Sequence, residues 1–320
     1  MTPMKICPIK PKIVIVAGPT GVGKSRVAVK IAAQFGGDII NADSMQVYRY
    51  MDIGTAKPTL EERLGVEHHL IDVVNPDEDF NAAVFSELAA KKINQLIESG
   101  RKVFIVGGTG LYIKALTKGL FKGPGADLEL RNQYRERLRD LGVAELYREL
   151  QEKDAEAARR IHPNDSVRII RALEIFEKSG ESISGKQDEH GFRERPYETL
   201  KIALNIDRGR LYDIINARCN EMFSKGLVRE VEKLMEMGFH EDLKSMKSLG
   251  YKQVASFLGG EYDLDTALDI MMRETRRYAK RQLTWFNADK EFDWFHPDDI
   301  ANIGQRIEDF YSLQSASASC

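Results

Sequence analysis

The stretch Ile13-Val14-Ile15-Val16-Ala17-Gly18-Pro19-Thr20-Gly21-Val22-Gly23-Lys24-Ser25 constrains this chain more than any other. Ile13 to Val16 form a continuous β-branched run, short enough for one strand buried on both faces. Gly18 to Ser25 fit Gly-x-x-x-x-Gly-Lys-Ser, and apolar residues at helical spacing follow at once (Val27, Ala28, Ile31, Ala32, Phe35). Strand, loop and helix in that order are the context a phosphate-binding P-loop requires. Glycines let the backbone turn its N–H groups onto phosphate oxygens. The helix N-terminus adds partial positive charge, Lys24 adds a full one, and Ser25 offers a hydroxyl to Mg²⁺.

The flanking sequence alternates strand and helix patterns. A turn at Gly36-Gly37 leads to a strand at Asp38 to Asn41, which ends in Asp43-Ser44-Met45-Gln46-Val47-Tyr48. A third strand is expected at His68 to Val74, with a helix from Asn81 to Ser99. A buried strand at Lys102 to Val106 then ends in Gly107-Gly108-Thr109-Gly110-Leu111-Tyr112. This alternation predicts an α/β fold with a P-loop NTPase-like parallel sheet, whose ligands sit at the carboxyl ends of the strands. Gly and Pro concentrate near Gly119 to Asp127, and helical spacing follows (Leu130, Tyr134, Leu138, Leu141). Ser184 to Pro196 reads as a polar loop, Leu200 to Ile206 as a strand returning to the sheet, and helices are expected to about Asn287. The chain thus divides into a core of residues 1–122 and 198–320 and a helical insertion of residues 123–197. The tail Ser312 to Cys320 is small and polar, the composition of a disordered end.

Charge and cysteine usage narrow the function classes. With 47 Lys and Arg against 49 Asp and Glu, the net charge is −2, so any nucleic-acid surface must come from local clustering. Such clusters occur at Arg131, Arg135, Arg137 and Arg139 and at Arg273, Arg276, Arg277, Lys280 and Arg281, the second beside Trp285 and Phe286. A solvated helix and an RNA-tracking surface share that composition. Cys7, Cys219 and Cys320 form no metal-spaced pair, and His68-His69 reads as a loop pair, not a metal site. The longest apolar runs are strand-length, and Met1 to Lys12 has no apolar signal core. A soluble, cytoplasmic protein with no membrane partner is expected.

A P-loop alone says only that phosphates bind. Motor and switch NTPases add an apolar strand ending in a Mg²⁺-coordinating Asp, whereas Lys102 to Val106 ends in Gly-Gly-Thr-Gly. Asp43 is the best-placed carboxylate, as Mg²⁺ ligand, as general base or as a simple turn acid.

The motifs together resemble the tRNA dimethylallyltransferases (tRNA isopentenyltransferases). They are the P-loop, Asp43 to Tyr48, Met51-Asp52-Ile53-Gly54-Thr55-Ala56-Lys57-Pro58, His68 to Asp72, Gly107 to Tyr112 and Arg168 to Glu174, with Leu249 to Gln253 and Lys280 to Phe286. They run in order from about residue 13 to 287. The resemblance implies transfer of a dimethylallyl group from dimethylallyl diphosphate to the exocyclic amine of the tRNA adenosine just 3′ of the anticodon. Mg²⁺ would be the cofactor, bound at Ser25. Thr20, Lys24 and Ser25 would hold the diphosphate, Asp43 would act as general base, and Arg218 would clamp the pyrophosphate. The tRNA-facing positions it implies are Asp43, Ser44, Met45, Gln46, Thr109 and Arg131. Further tRNA-facing stretches are Val167-Arg168-Ile169-Ile170-Arg171, Lys247-Ser248-Leu249-Gly250-Tyr251-Lys252 and Lys280-Arg281-Gln282-Leu283-Thr284-Trp285-Phe286-Asn287. The helical insertion would clamp the anticodon stem-loop, and the target base would flip out of its stack. A monomer of bacterial type is expected, with Asn287 standing where bacterial members often carry a basic residue. An adenylate isopentenyltransferase acting on free AMP, ADP or ATP, and a nucleotide-dependent RNA-binding switch, are the competing readings.

Overall fold

The computed structural model describes residues 10–121, 123–125 and 127–313. Its strands are β1 (Lys12–Ala17), β2 (Gly37–Asn41), β3 (His68–His69), β4 (Lys102–Gly107), β5 (Glu198–Leu204) and β6 (Phe292–Phe295). They form one sheet in the order β3-β2-β4-β1-β5-β6, with every pairing parallel. Val14 pairs with Phe104 on one side and Leu200 on the other. Ile13, Val14, Ile15 and Val16 are fully buried, as an apolar run between two covered faces must be. Helix α1 (Lys24–Phe35) lies against β1, β2 and β4, with Val27, Ala28, Val29, Ile31 and Ala32 buried. Because all strands are parallel, the loops after β1, β2 and β4 leave the same edge of the sheet. β4 ends so close to the backbone after β2 that a Cβ on Gly107 would overlap the Ala42 carbonyl.

Helices α2 (Ala82–Glu98) and α3 (Gly110–Lys118) flank β4, while α9 (Arg208–Ser224), α10 (Leu227–Glu236), α11 (Tyr251–Leu258) and α12 (Leu264–Ala288) follow β5. The expected strand at His68 to Val74 is cut to His68–His69, because Leu70 (φ 61°) and Asp72 (φ 56°) are left-handed, which ends extended backbone. Beyond them Val73 N–H donates to the Val47 carbonyl at 2.7 Å, and Val74 bridges Tyr48. His69 Nε2 lies 3.0 Å from Asp38 Oδ2, at the start of β2 and away from the P-loop edge. Two elements that the sequence pattern did not announce close the core. β6 adds a sixth strand beside β5, with Phe292 edge-on to Phe286 at 5.4 Å, and α13 (Ile300–Ser312) buries Ile303, Ile307 and Phe310. Cys219 is a buried free thiol. Cys7, Cys320 and the tail from residue 314 lie outside the described residues, within which no helix is long and apolar enough to cross a membrane.

The chain separates into two compact units, one built from the segments up to Thr117 and from Arg195 onward, the other being Lys118–Glu194. The second unit holds α4 (Leu128–Leu141), α5 (Val143–Lys153), α6 (Ala155–Arg160), α7 (Ser166–Ser179) and α8 (Ile183–His190). The expected loop at Ser184 to Pro196 is therefore helical in its first half. Ser184 is buried there, its N–H and hydroxyl both donating to the Asp154 carboxylate. Tyr134, Leu146, Leu150, Ile169 and Leu173 form this unit's own core, while Leu141, the last residue of α4, is exposed. Glu174 is fully buried in α7 and accepts from the Asp127 N–H at 2.6 Å, Arg131 Nε at 3.0 Å and Arg171 Nη1 at 2.7 Å. Burial alone would raise its pKa, but hydrogen bonds from Arg171, the Asp127 N–H and Arg131 outweigh it and hold the carboxyl below its ordinary value.

Removing a buried charge whose partners stay behind costs about 3 kcal/mol or more. Glu174→Ala should lower the unfolding free energy of the Lys118–Glu194 unit by that amount. The loss should shrink as pH falls and the wild-type carboxyl also takes up its proton, and urea titration at two pH values reads both effects.

Candidate active site

The P-loop sits at the carboxyl end of β1. Gly18 has φ 146° and faces the Leu204 backbone so closely that a Cβ would come within 2.7 Å of its carbonyl oxygen. Gly23 (φ 91°) is the N-cap of α1, and no side chain occupies that cap, so the first-turn N–H groups point at whatever enters the loop. Lys24 Nζ reaches back across the loop to the Pro19 carbonyl at 2.8 Å. Burial lowers the Lys24 pKa to about 8, with Asp43 acting to raise it and Arg218 to lower it further.

A cavity of about 940 Å³ opens over this loop. Thr20, Gly21, Gly23, Lys24 and Ser25 line it from the P-loop, Asp43 and Gln46 from the end of β2, and Arg218 from α9. Burial lowers the Arg218 pKa, and Asp43 opposes that shift as the nearby anion. Asp43 is both things the sequence left open, a turn acid and a cavity carboxylate. Its Oδ1 accepts from Met45 N–H at 2.8 Å and Gln46 N–H at 3.3 Å, which fixes the carboxylate beside the two cations. Ile53, Pro58, Leu64, Ile214, Ala217 and Met222 form an apolar wall of the same cavity. Among the described residues no cluster of His, Cys, Asp and Glu could hold a metal by itself. The Ser25 hydroxyl and Asp43 carboxylate are hard oxygen donors, and together with phosphate oxygens they suit Mg²⁺, which is commonly held by one or two protein groups and its substrate.

The loop Asp52 to Glu62 straps over the cavity. Gln46 Nε2 donates to the Thr55 and Ala56 carbonyls at 3.1 Å each, so this amide is a fastener of the strap. Glu230 of α10, which sequence reasoning missed, accepts from the N–H groups of Asp52 (3.1 Å), Ile53 (2.8 Å) and Gly54 (3.2 Å) and from Tyr251 OH at 2.6 Å. Lys57 was quoted only as part of a motif. Its ammonium is buried against the Tyr48 carbonyl, Asp52 and Asp72. Thr109 joins two strand ends: its Oγ1 accepts from Ser44 N–H at 3.0 Å and its N–H donates to the Ala42 carbonyl at 3.2 Å. Tyr278 of α12, also missed, lines the cavity beside Gln282, and burial raises its phenol pKa well above the ordinary value. Its signal was available, since Tyr278 and Gln282 are one helical turn apart on α12.

The stretches expected to face RNA divide by burial. On α7 Val167 and Arg168 are exposed, whereas Ile169 and Ile170 are core side chains, a correction forced by the helical period. Arg131 and Arg171 are half-buried on Glu174. Lys247 and Lys252 are exposed, Ser248 and Leu249 are half-buried, and Gly250 and Tyr251 are buried, Tyr251 serving Glu230. On α12 Lys280, Arg281, Thr284, Trp285 and Asn287 are exposed, Leu283 is half-buried, and Gln282 and Phe286 are buried. Arg273 and Arg277 share Glu274, and Arg276 turns inward to Asn216.

A P-loop at the head of a parallel sheet, with a cationic and partly apolar cavity, places the chain among P-loop α/β proteins. The family model described as IPP transferase matches residues 46–289. A relative from Syntrophus aciditrophicus, named tRNA dimethylallyltransferase 2, is 56% identical, covering 92% of this chain and 94% of its own. The tRNA dimethylallyltransferase of Geobacter sulfurreducens is 49% identical over 93% of this chain and 97% of its own. The solved tRNA isopentenylpyrophosphate transferase of Bacillus halodurans superposes with a TM-score of 0.71 at 40% identity, covering 94% of this chain and 97% of that one. A eukaryotic dimethylallyltransferase solved acting on tRNA gives 0.77 at 27% identity, covering 95% and 80%. The chain belongs to the IPP transferase family.

Burial brings the Lys24 pKa down to about 8, and a bound anion favours the charged form. Affinity for pyrophosphate should therefore fall as pH rises through that value. Calorimetry in two buffers of different ionisation enthalpy should show about one extra proton taken up at pH ~9 and little at pH ~7. Lys24→Arg, whose guanidinium stays charged, should abolish the difference.

Proposed function

We propose that this protein transfers a dimethylallyl group from dimethylallyl diphosphate to the N6 amine of the tRNA adenosine 3′-adjacent to the anticodon, releasing pyrophosphate. The observation that carries the reading is the cavity itself, where the P-loop, Lys24 and Arg218 lie with the Asp43 carboxylate beside an apolar wall. An alkyl diphosphate matches both halves of that lining, the diphosphate on the cationic side and the five-carbon chain on Ile53, Ile214 and Met222. Family membership and relatives named for tRNA dimethylallyl transfer support the same reaction.

In the reaction the C1–O bond of the donor breaks as the adenine N6–C1 bond forms. Negative charge grows on the departing pyrophosphate, where the loop amides, Lys24, Thr20 and Arg218 stabilise it. The N6 proton passes to the Asp43 carboxylate, which its turn holds in place. Mg²⁺ at the Ser25 hydroxyl, when bound with the donor, supplies further neutralisation of the diphosphate charge. Exposed Lys280, Arg281 and Trp285 on α12 and Val167 and Arg168 on α7 are the RNA-facing groups in this reading. Asp43 lies within the cavity, so the adenine must leave its stack to reach it. The protein acts in the cytoplasm, as a monomer.

Labelled dimethylallyl diphosphate with Mg²⁺ should mark an unmodified anticodon stem-loop and leave AMP unmarked. Label in AMP alone would move the protein to the adenylate isopentenyltransferases. Asp43→Asn should lower kcat by about 10²–10⁴ and change pyrophosphate affinity far less, measured by single-turnover transfer and by calorimetry. Wild-type turnover in that variant would remove Asp43 from the role of base.

A further inference from the structure

Gln282 lies in a stretch that the sequence assigns to RNA, yet its side chain is buried, at 6% exposure. α12 turns it inward while its neighbours Lys280, Arg281 and Thr284 face solvent. Its Oε1 accepts from the Thr20 N–H at 2.8 Å, and its Nε2 donates to the Gly108 carbonyl at 2.9 Å. The orientation of the carboxamide is settled by its partners, one of which can only donate and the other only accept. The space beside Gly108 is filled by this amide, and a Cβ there would overlap Nε2. Tyr278, one turn earlier, lines the same cavity. Thus one buried carboxamide joins the P-loop to the loop after β4.

We propose that Gln282 is a positioning residue for the phosphate loop and not an RNA contact. It fixes the Thr20 peptide so that the Thr20 side chain and the following N–H groups face the cavity in advance of the diphosphate. A carboxamide can accept from one peptide and donate to another at the same time. Glutamate would keep the Thr20 bond and lose the Gly108 bond, while placing a negative charge beside the diphosphate. Methionine fills the volume and makes neither bond, which leaves two buried backbone groups unpaired. The inference rests on the diphosphate reading of the cavity.

The test measures two affinities on each protein: inorganic pyrophosphate with Mg²⁺ by calorimetry, without RNA, and an anticodon stem-loop by fluorescence anisotropy, without donor. Gln282→Met should weaken pyrophosphate about tenfold or more and leave stem-loop affinity within about twofold, with KM for dimethylallyl diphosphate rising in parallel. Gly108→Ala displaces the amide from the other side and leaves Gln282 itself intact. It should show the same pattern, and it carries the test if Gln282→Met does not fold. Unchanged pyrophosphate affinity with weakened stem-loop binding would overturn the proposal, because that is how an RNA contact behaves. Equal loss of both affinities would overturn it too, as the mark of a general structural role. Wild-type protein that binds no pyrophosphate would overturn the diphosphate reading and this inference with it.

Discussion

Two desolvated cations, Lys24 and Arg218, held beside the Asp43 carboxylate set the terms for the rest of the molecule. Lys24 and Arg218 are both pushed toward their neutral forms by burial, and Asp43 compensates only in part. Holding like charges in one pocket without their counter-anion is unfavourable, and the penalty runs to several kcal/mol per ion before compensation. The frame absorbs it. The sheet core is apolar and buried, the Pro19 carbonyl accepts from the ammonium, and the Asp43 carboxylate is held by two backbone N–H groups. A diphosphate that enters relieves the electrostatic mismatch, so ligand affinity and apo stability draw on the same interaction with opposite sign.

The architecture explains how groups so distant in the chain reach one place. β1, β2 and β4 deliver their loops to one edge, and α9 and α12 close the cavity from behind with Arg218, Tyr278 and Gln282. Most of the polar side chains near the centre do not face the ligand space alone. Thr109, Gln46 and Gln282 each spend hydrogen bonds on neighbouring backbone, and this holds the few groups that do chemistry within narrow tolerances.

The parts of the fold that were legible from the chain are those where a local pattern coincides with a tertiary role. Ile13 to Val16 is an uninterrupted apolar run that only a strand covered on both faces can bury, and the P-loop that follows requires the helix after it. Asp43 and Arg218 were reached through motifs. Strand β6 and helix α13 escaped because Phe-Asp-Trp-Phe is too short to display a period, and its pairing with β5 is a long-range fact. The strand at His68 failed on two left-handed residues, which no hydrophobic pattern encodes. Glu230 was invisible for a different reason. In sequence it is one acid among many on an amphipathic helix, and only folding brings three N–H groups to it. The RNA-facing stretches were read as continuous segments, whereas a helix exposes only part of its circumference, so Ile169, Ile170 and Phe286 went inside.

The Glu230 clasp also bears on how the gene can drift. One carboxylate serves the peptides of Asp52, Ile53 and Gly54 and the phenol of Tyr251, and the aromatic ring leaves no room for a Cβ on Gly54. Three chain segments with no sequence adjacency therefore form one heritable unit. A change at any single member strands polar groups on the others, so tolerated variants at these sites arise in concert.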